Sequence, residues 1–478
     1  MPSHATTTVL IALVGWIPLT IIFFALFSSR RAMLLGMIGG WLFLPVYVIK
    51  LKAVPEYSKL TAASYGVLLG TMIFDWERIL HFKFRWFDIP MLCWCVTPFI
   101  TSIENGLGWY DGVSAVIQNS VLWGLPYFLG RIYFPDWESF KELGIGIIIG
   151  GIIYIPLCLI EIRLSPQLHK MVYGFSQGAF NETKRMGGYR PMVFLQHGLA
   201  VGMWMNSATL CALWMWQTKA VKTLFTVPMI VWVGILFVTT VLCKSTAGMA
   251  FLAAGIGILY SIKFTRLPIL LLGVIAVAPV YMTVRAYSID EHKDEIAATV
   301  GGEHAVGEPL GEEAVALCLK LFGEERTQSF EVRVRSENQL AAHALEQPWF
   351  GWGRWNRNRV RDKMGKDAAP TDGLWVIALG VSGIVGLAAF TITILMAPLL
   401  IWYRCPLKYW DHPGTAAAVA MAVLLSLYML DNILNAMPDP IFTVALGGLT
   451  GIAPSIRAQV KNIRTVQPRP VQAMPAMA

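Results

Sequence analysis

The sequence predicts an all-α integral membrane protein, with about 12–13 transmembrane helices and one large extracytoplasmic loop that contains short amphipathic helices. Three observations predict it. Of 478 residues, 56% are hydrophobic and only 14% charged, which does not suit a water-soluble globule. A spanning helix needs roughly 20 largely apolar residues, and runs approaching or exceeding that length recur thirteen times. Lys and Arg gather between alternate runs, the bias of cytoplasmic loops.

The apolar runs cover 9–27, 32–49, 60–74, 89–103, 113–130, 143–160, 192–216, 224–240, 247–262, 267–284, 373–402, 416–430 and 441–453. The first has no basic residues before it, is followed by Arg30 and Arg31, and lacks a small-residue cleavage site, so it reads as a retained helix rather than a secretory signal. The runs at 60–74 and 89–103 are short enough to be interfacial or re-entrant instead. Arg30 and Arg31, the Arg78, Lys83, Arg85 cluster, Lys219 and Lys222, Lys263 and Arg266, Arg404 and Lys408, and the basic residues from Arg457 onward can all lie on the cytoplasmic side together. Alternation then places 161–191, 285–371 and the Lys244-Ser245-Thr246 turn on the opposite side.

The chain thus divides into an N-terminal transmembrane bundle (1–284), a large extracytoplasmic loop (285–371), C-terminal spans (372–456) and a cytoplasmic tail (457–478). In the tail, Pro468, Pro470 and Pro475 alternate with small residues, a composition that suggests disorder. Of seven cysteines only Cys318 lies in a long outer segment, and no disulfide framework or cysteine zinc site is indicated. No internal repeat is visible.

The large loop changes character half-way. Residues 285–325 hold ten acidic against three basic residues, net −7, whereas 326–371 hold nine basic against five acidic, net +4. The first half, with Gly301, Gly302, Gly307, Pro309 and Gly311, reads as a mobile acidic excursion carrying His292 and His304 at the surface. In the second half, Phe330, Val334, Leu340, Ala341 and Leu345 recur at helical spacing, predicting an amphipathic helix over 329–346 that stops before Pro348. A glycine-punctuated aromatic turn follows, Trp349-Phe350-Gly351-Trp352-Gly353-Arg354-Trp355, and Pro370-Thr371-Asp372-Gly373 opens the next span.

This order of elements resembles the O-antigen ligase and O-antigen polymerase superfamily. Its members carry an arginine, an amphipathic helix ending in proline, a G-x-G turn, a polar residue opening a span, and a G-hydrophobic-hydrophobic-G close; here these read Arg333, Pro348, Gly351-Trp-Gly353, Asp372 and Gly383-Ile-Val-Gly386. The stretch Lys184-Arg185-Met-Gly-Gly-Tyr-Arg190 to His197 is similar to the family's arginine-glycine motif, and Lys244-Ser245-Thr246-Ala-Gly248 to its serine-rich turn. The resemblance covers the motif-bearing parts of 182–390. It departs at Asp372, where family ligases have a histidine thought to act as general base and polymerases more often an acidic residue.

The resemblance implies an inverting, metal-independent glycosyltransferase, without a soluble cofactor. It would move glycan from a polyprenyl pyrophosphate carrier to an acceptor hydroxyl, as in lipopolysaccharide or other surface polysaccharide biosynthesis. Its partners would be the lipid-linked donor, a lipid or glycan acceptor and membrane lipids, not nucleic acid, and its site would face outward from a bacterial inner membrane. The residue types suit that chemistry, because a pyrophosphate leaving group gathers negative charge and guanidinium groups give permanent, bidentate contacts to phosphate oxygens. Arg185, Arg190, Lys244 and Arg333 are the expected pyrophosphate ligands, with Arg335 standing in for Arg333 if the helix is rotated. Equally, such residues at helix ends reach for lipid headgroups.

Asp372 can accept the acceptor's proton or simply cap the helix that follows it. His197 and His343 are the other candidate bases, or merely hydrogen-bonded histidines. Trp349, Trp352 and Trp355 can stack on sugars or sit at the lipid interface. Asp431, Asn432, Asn435 and Asp439 form the last outer turn, where helix caps explain them as well as function does. A transporter or flippase of lipid-linked glycans would also want basic residues and many spans, but it predicts a repeat and charges at mid-membrane. A metal-dependent transferase would need clustered carboxylates, for which Glu104 with Asp111 is the thin candidate.

Overall fold

A computed structural model describes residues 6–50, 56–178, 180–298, 309–322, 324–361, 364–456, 458 and 460–461. The tail expected at 457–478 falls almost wholly outside the described residues, as do Gly301, Gly302, His304 and Gly307.

Each apolar run contains helix. In chain order the helices are α1 (Thr7–Leu26), α2 (Ser29–Phe43), α3 (Lys59–Phe74), α4 (Trp76–Leu80), α5 (Ile89–Glu104), α6 (Trp109–Asn119), α7 (Leu125–Tyr133), α8 (Trp137–Leu164), α9 (Leu168–Tyr173) and α10 (Gly198–Gln217). Then follow α11 (Met229–Leu242), α12 (Thr246–Thr265), α13 (Ile269–Glu291), α14 (Lys293–Ala298), α15 (Pro309–Phe322), α16 (Glu324–Leu345), α17 (Leu374–Arg404), α18 (Ala416–Leu434) and α19 (Pro440–Ile452). Strand pairing among the described residues is confined to three two-residue hairpins and one isolated bridge.

Among the described residues, eight helices are long and apolar enough to cross a membrane: α1, α5 with the turn before it, α8, α10, α12, α13, α17 and α18. Three shorter apolar helices, α3, α11 and α19, run with them. The chain is therefore an all-α, multi-pass membrane protein. Helices α10 and α18 are almost wholly buried and form its centre, whereas α1 and α13 leave most of their apolar surface on the periphery, where lipid is the solvent. The alanine-rich start of α18 lets its neighbours approach closely.

Contacts sort the helix ends into two groups. Arg30 with Glu142, Arg131 with Asp88 and the Lys83 carbonyl, Arg266 with Asp411, and Arg404 with the Ala453 carbonyl share one end. Thr6, Lys59, the 165–197 segment, Lys244, Asp372 and Asp439 share the other. The basic loops that the charge bias groups together thus lie at a common end of the bundle.

Four expectations are corrected in detail. The run 113–130 is two α-helices joined by a π turn at Ser120–Gly124. Residues 192–197 form no helix and lie as a buried strap before α10. The described part of the acidic half-loop is helical: α13 runs on to Glu291, Arg285 forms a buried ion pair with Glu337 at 2.8 Å, and α14 and α15 follow. His292 ends α13, its Nδ1 2.9 Å from the Ser288 carbonyl.

The fourth correction is the span 373–402, which is broken at Gly383 (φ 62, ψ −167). The aromatic turn fills the break: Trp352 and Gly353 donate to the carbonyls of Gly380 and Val381, while Ile384 and Val385 donate to those of Pro348 and Trp349. Backbone groups stripped of helical partners are thereby satisfied by protein, which is how a membrane tolerates a broken helix. Gly351, at φ 69, leaves no room for a side chain, since an added Cβ would lie 2.7 Å from the Gly380 oxygen. From α5, Thr101 and Asn105 donate to the carbonyls of Phe350 and Gly351, fixing the turn from the far side.

Candidate functional site

The site begins with a minimal hairpin. Lys184–Arg185 pairs with Gly188–Tyr189, and both central residues, Met186 (φ 47) and Gly187 (φ 67), are left-handed, as a two-residue hairpin turn requires. The Arg190 amide extends the pairing by donating to the Thr183 carbonyl at 2.7 Å. Arg185 stays exposed near the tip, whereas Arg190 turns inward and is only 7% exposed.

The hairpin and the turn between α11 and α12 form one layer. Arg190 Nη2 donates to the Lys244 carbonyl at 3.4 Å, and Lys244 Nζ donates to the Met186 carbonyl at 3.3 Å. Two glycines make the space: a Cβ on Gly188 would meet Lys244 Nζ at 2.0 Å, and one on Gly198 would meet Arg190 Cδ at 2.1 Å. Ser245 caps α12, its Oγ accepting from the Gly248 amide at 3.2 Å.

His197 is the N-cap of α10 rather than a residue of its first turns, with Nδ1 accepting from the Leu199 amide at 3.1 Å and Nε2 4.0 Å from Glu182 Oε2. Burial pushes its imidazole pKa down to about 4, and Arg190, Arg333 and Arg185 push it the same way. Arginines far apart in sequence therefore act on one histidine.

Helix α16 presents Arg333, Ser336, Glu337 and Leu340 to a small cleft, closed by Pro370, Asp372, Gly373 and Val376 and by Ile433 and Leu434 at the end of α18. These α16 positions recur every three or four residues and so share one face. Arg333 Nε lies 3.9 Å from Asp372 Oδ2, at the edge of ion-pair distance. The cap of α17 is Gly373, not Asp372, and no side-chain capping bond is formed there. Asp372 is thus a half-exposed carboxylate facing an arginine.

The last outer turn contributes beneath this cleft. Asp431 is buried within α18 and receives Asn435 Nδ2 at 2.7 Å. Asp439 caps α19, accepting from the amides of Ile441 and Phe442.

Several candidates lie elsewhere. Arg335 is on another face of α16, paired with Glu331 one turn away, so the helix is set with Arg333 toward the cleft. His343 stacks on Trp352 with centroids 4.7 Å apart, and its two ring nitrogens lie 3.3 Å from Glu346 and the Arg357 carbonyl. It stands ten residues along α16 from Arg333, or ~15 Å. Trp352 donates to the His343 carbonyl, while Trp349 and Trp355 remain exposed. Asp111 is held bidentately by Arg357 and also receives Ser102 Oγ.

Glu182 and the cleft-facing Glu337 carried no signal in the sequence. Lone charges bounding apolar runs, Lys59 and Glu161, were visible there, but their partners were not. No protein-family model matches the chain, and no curated protein matches it either.

Proposed function

We propose that this protein is a membrane glycosyltransferase of the O-antigen ligase or polysaccharide polymerase kind. It would act on polyprenyl pyrophosphate-linked glycan at the outer face of a bacterial inner membrane. One observation carries the reading: Arg190 contacts Lys244, Arg333 faces Asp372, and Arg185, Arg190 and Arg333 all act on His197, so cations from three distant segments share one end of the bundle. Fixed cations gathered from separate segments suit a substrate that brings its own negative charge.

In this reading the arginines hold the pyrophosphate while the anomeric carbon–oxygen bond breaks, and the departing oxygen's charge is met by guanidinium groups already in place. The acceptor hydroxyl attacks the opposite face of the sugar, which inverts the anomeric centre. Its proton passes to the Asp372 carboxylate, which is half-exposed and unused as a helix cap. His197 is less available as a base, because its Nδ1 already accepts a backbone amide and its Nε2 faces Glu182. Arg335 and His343 take no part.

Transport of the same lipid-linked glycans is the second reading, favoured by the break in α17, since discontinuous helices line many transporter sites. Reconstitution separates the two. The purified protein is given polyprenyl pyrophosphate-linked oligosaccharide with and without a lipid A-core acceptor, beside Arg185→Ala, Arg333→Ala and Asp372→Asn. Longer lipid-linked glycans without acceptor identify a polymerase, and product only with acceptor identifies a ligase. Movement of intact donor across the bilayer without any new glycosidic bond supports transport and overturns the proposal.

A further inference from the structure

Arg190 and His197 bound a strap, residues 190–197, that is largely buried yet forms neither helix nor paired strand beyond its first residue. Such a segment needs other partners for its backbone. Two buried ionisable side chains supply several of them. Glu161, in the last turn of α8 and 1% exposed, accepts through Oε2 from the amides of Met192 at 2.8 Å and Val193 at 2.7 Å, and through Oε1 from the Leu168 amide at 3.0 Å. Lys59, the first residue of α3, donates Nζ to the Phe194 carbonyl at 3.0 Å while lying 4.5 Å over the Trp41 ring. Gln177 Nε2 adds bonds to the carbonyls of Val193 and Leu195. Val193 itself sits at φ 51, a conformation that a β-branched residue keeps only where its surroundings impose it.

Ionisable groups are costly in an apolar bundle and persist where they have a task. Neither Glu161 nor Lys59 lines the cleft, and both aim at backbone atoms between Arg190 and His197. We propose that Glu161 and Lys59 are positioning residues that hold the 192–194 backbone from two sides, and so set Arg190 and His197 for a pyrophosphate-bearing substrate. The inference rests on the reading of this end as a pyrophosphate site. Glu161 fixes the strap by its amides, Lys59 by a carbonyl, so a slip of either moves the cationic layer without removing any cation from it.

The test uses the full-length protein in lipid nanodiscs, with Glu161→Gln, Lys59→Met and the conservative Lys59→Arg. Hydrogen exchange of the 190–197 amides is followed with and without inorganic pyrophosphate, beside thermal stability and the donor and acceptor KM. Pyrophosphate protects the wild-type strap and the Lys59→Arg strap but not those of Glu161→Gln and Lys59→Met. In those two variants the donor KM rises roughly tenfold, well within what misplacement of a binding group can cost, and the acceptor KM is unchanged. Two separate variants keep the question open to measurement if one fails to insert. Equal protection by pyrophosphate in wild type and variants overturns the proposal, as does a fall in thermal stability with donor and acceptor KM moving together. If the wild type transfers no glycan but its strap is still protected by pyrophosphate in this pattern, the transfer reading has failed and the positioning role stands. Absence of protection in the wild type removes the anion site and the positioning role with it.

Discussion

At one end of the bundle, arginines are neutralised by carboxylates of the protein itself: Arg131 holds Asp88 at 2.8 and 3.1 Å, Arg30 meets Glu142 at 2.6 Å, and Arg266 grips Asp411 at 2.8 and 3.2 Å. At the other end, Arg190 and Lys244 donate to backbone carbonyls, and Arg333 stands 3.9 Å from Asp372. The same residue type does two jobs. Carboxylate pairing ties helices together at the first end, and Arg285 with Glu337 and Arg357 with Asp111 do the same at the second, where the cations gathered around His197 and Asp372 are the proposed seat of an outside charge.

The contrast is sharpest for Arg131 against Arg333. Arg131→Ala strands a buried Asp88 carboxylate that also receives the Tyr127 hydroxyl, and the thermal stability should fall by about 3–5 kcal/mol. Arg333→Ala should leave stability nearly unchanged while glycan transfer falls on the order of a hundredfold or more. Equal melting losses in the two variants would break the comparison. Asp372→Asn should cut transfer roughly a hundredfold, whereas Asp411→Asn at the far end should leave the transfer rate within about twofold, its exposed pair contributing little.

The wedge in α17 offers a structural version of the same test. At Gly383, a Cβ would lie 2.2 Å from the Trp349 oxygen, so Gly383→Ala should cost about 3 kcal/mol of stability. Gly257 in α12 has open space around it, and Gly257→Ala should change stability by less than about 0.5 kcal/mol. Comparable melting of both variants would mean that the aromatic turn does not hold the break.

A pH dependence follows from His197. Its folded pKa of about 4 lies below the ordinary value of 6.5, so the unfolded chain binds more protons between the two. The associated stability is present above pH 6.5 and is lost as pH falls toward 4. His197→Gln should lose less stability over that window, and inorganic pyrophosphate should raise the His197 pKa by offsetting the arginines; an NMR titration that pyrophosphate leaves unmoved would sink the idea of a shared anion site. The smallest effect belongs to Arg335→Ala, which removes only a surface pair with Glu331, worth less than about 0.5 kcal/mol, and leaves transfer within twofold.

The long apolar helices were legible from apolar length, since a bilayer demands that each run satisfy its own backbone. Helix α16 and the stop before Pro348 were legible from periodicity and proline chemistry. Residues 192–197 were not: their apolar side chains continue the run into α10, while their backbone is bonded by the distant Glu161, Lys59 and Gln177. The break in α17 was hidden for a similar reason, because Gly383 is tolerable within a helix until the aromatic turn arrives to take its place in the hydrogen-bond ladder.

By itself, then, the sequence determined the solvent, the helices, the grouping of basic loops at one end and the identity of the candidate cations, all of which follow from local composition and spacing. Only the tertiary structure decided which cations share a field, that Arg333 rather than Arg335 faces the cleft, and that Asp372 is released from capping. Those outcomes depend on helix rotation and on contacts between segments tens of residues or more apart, which short-range patterns do not encode.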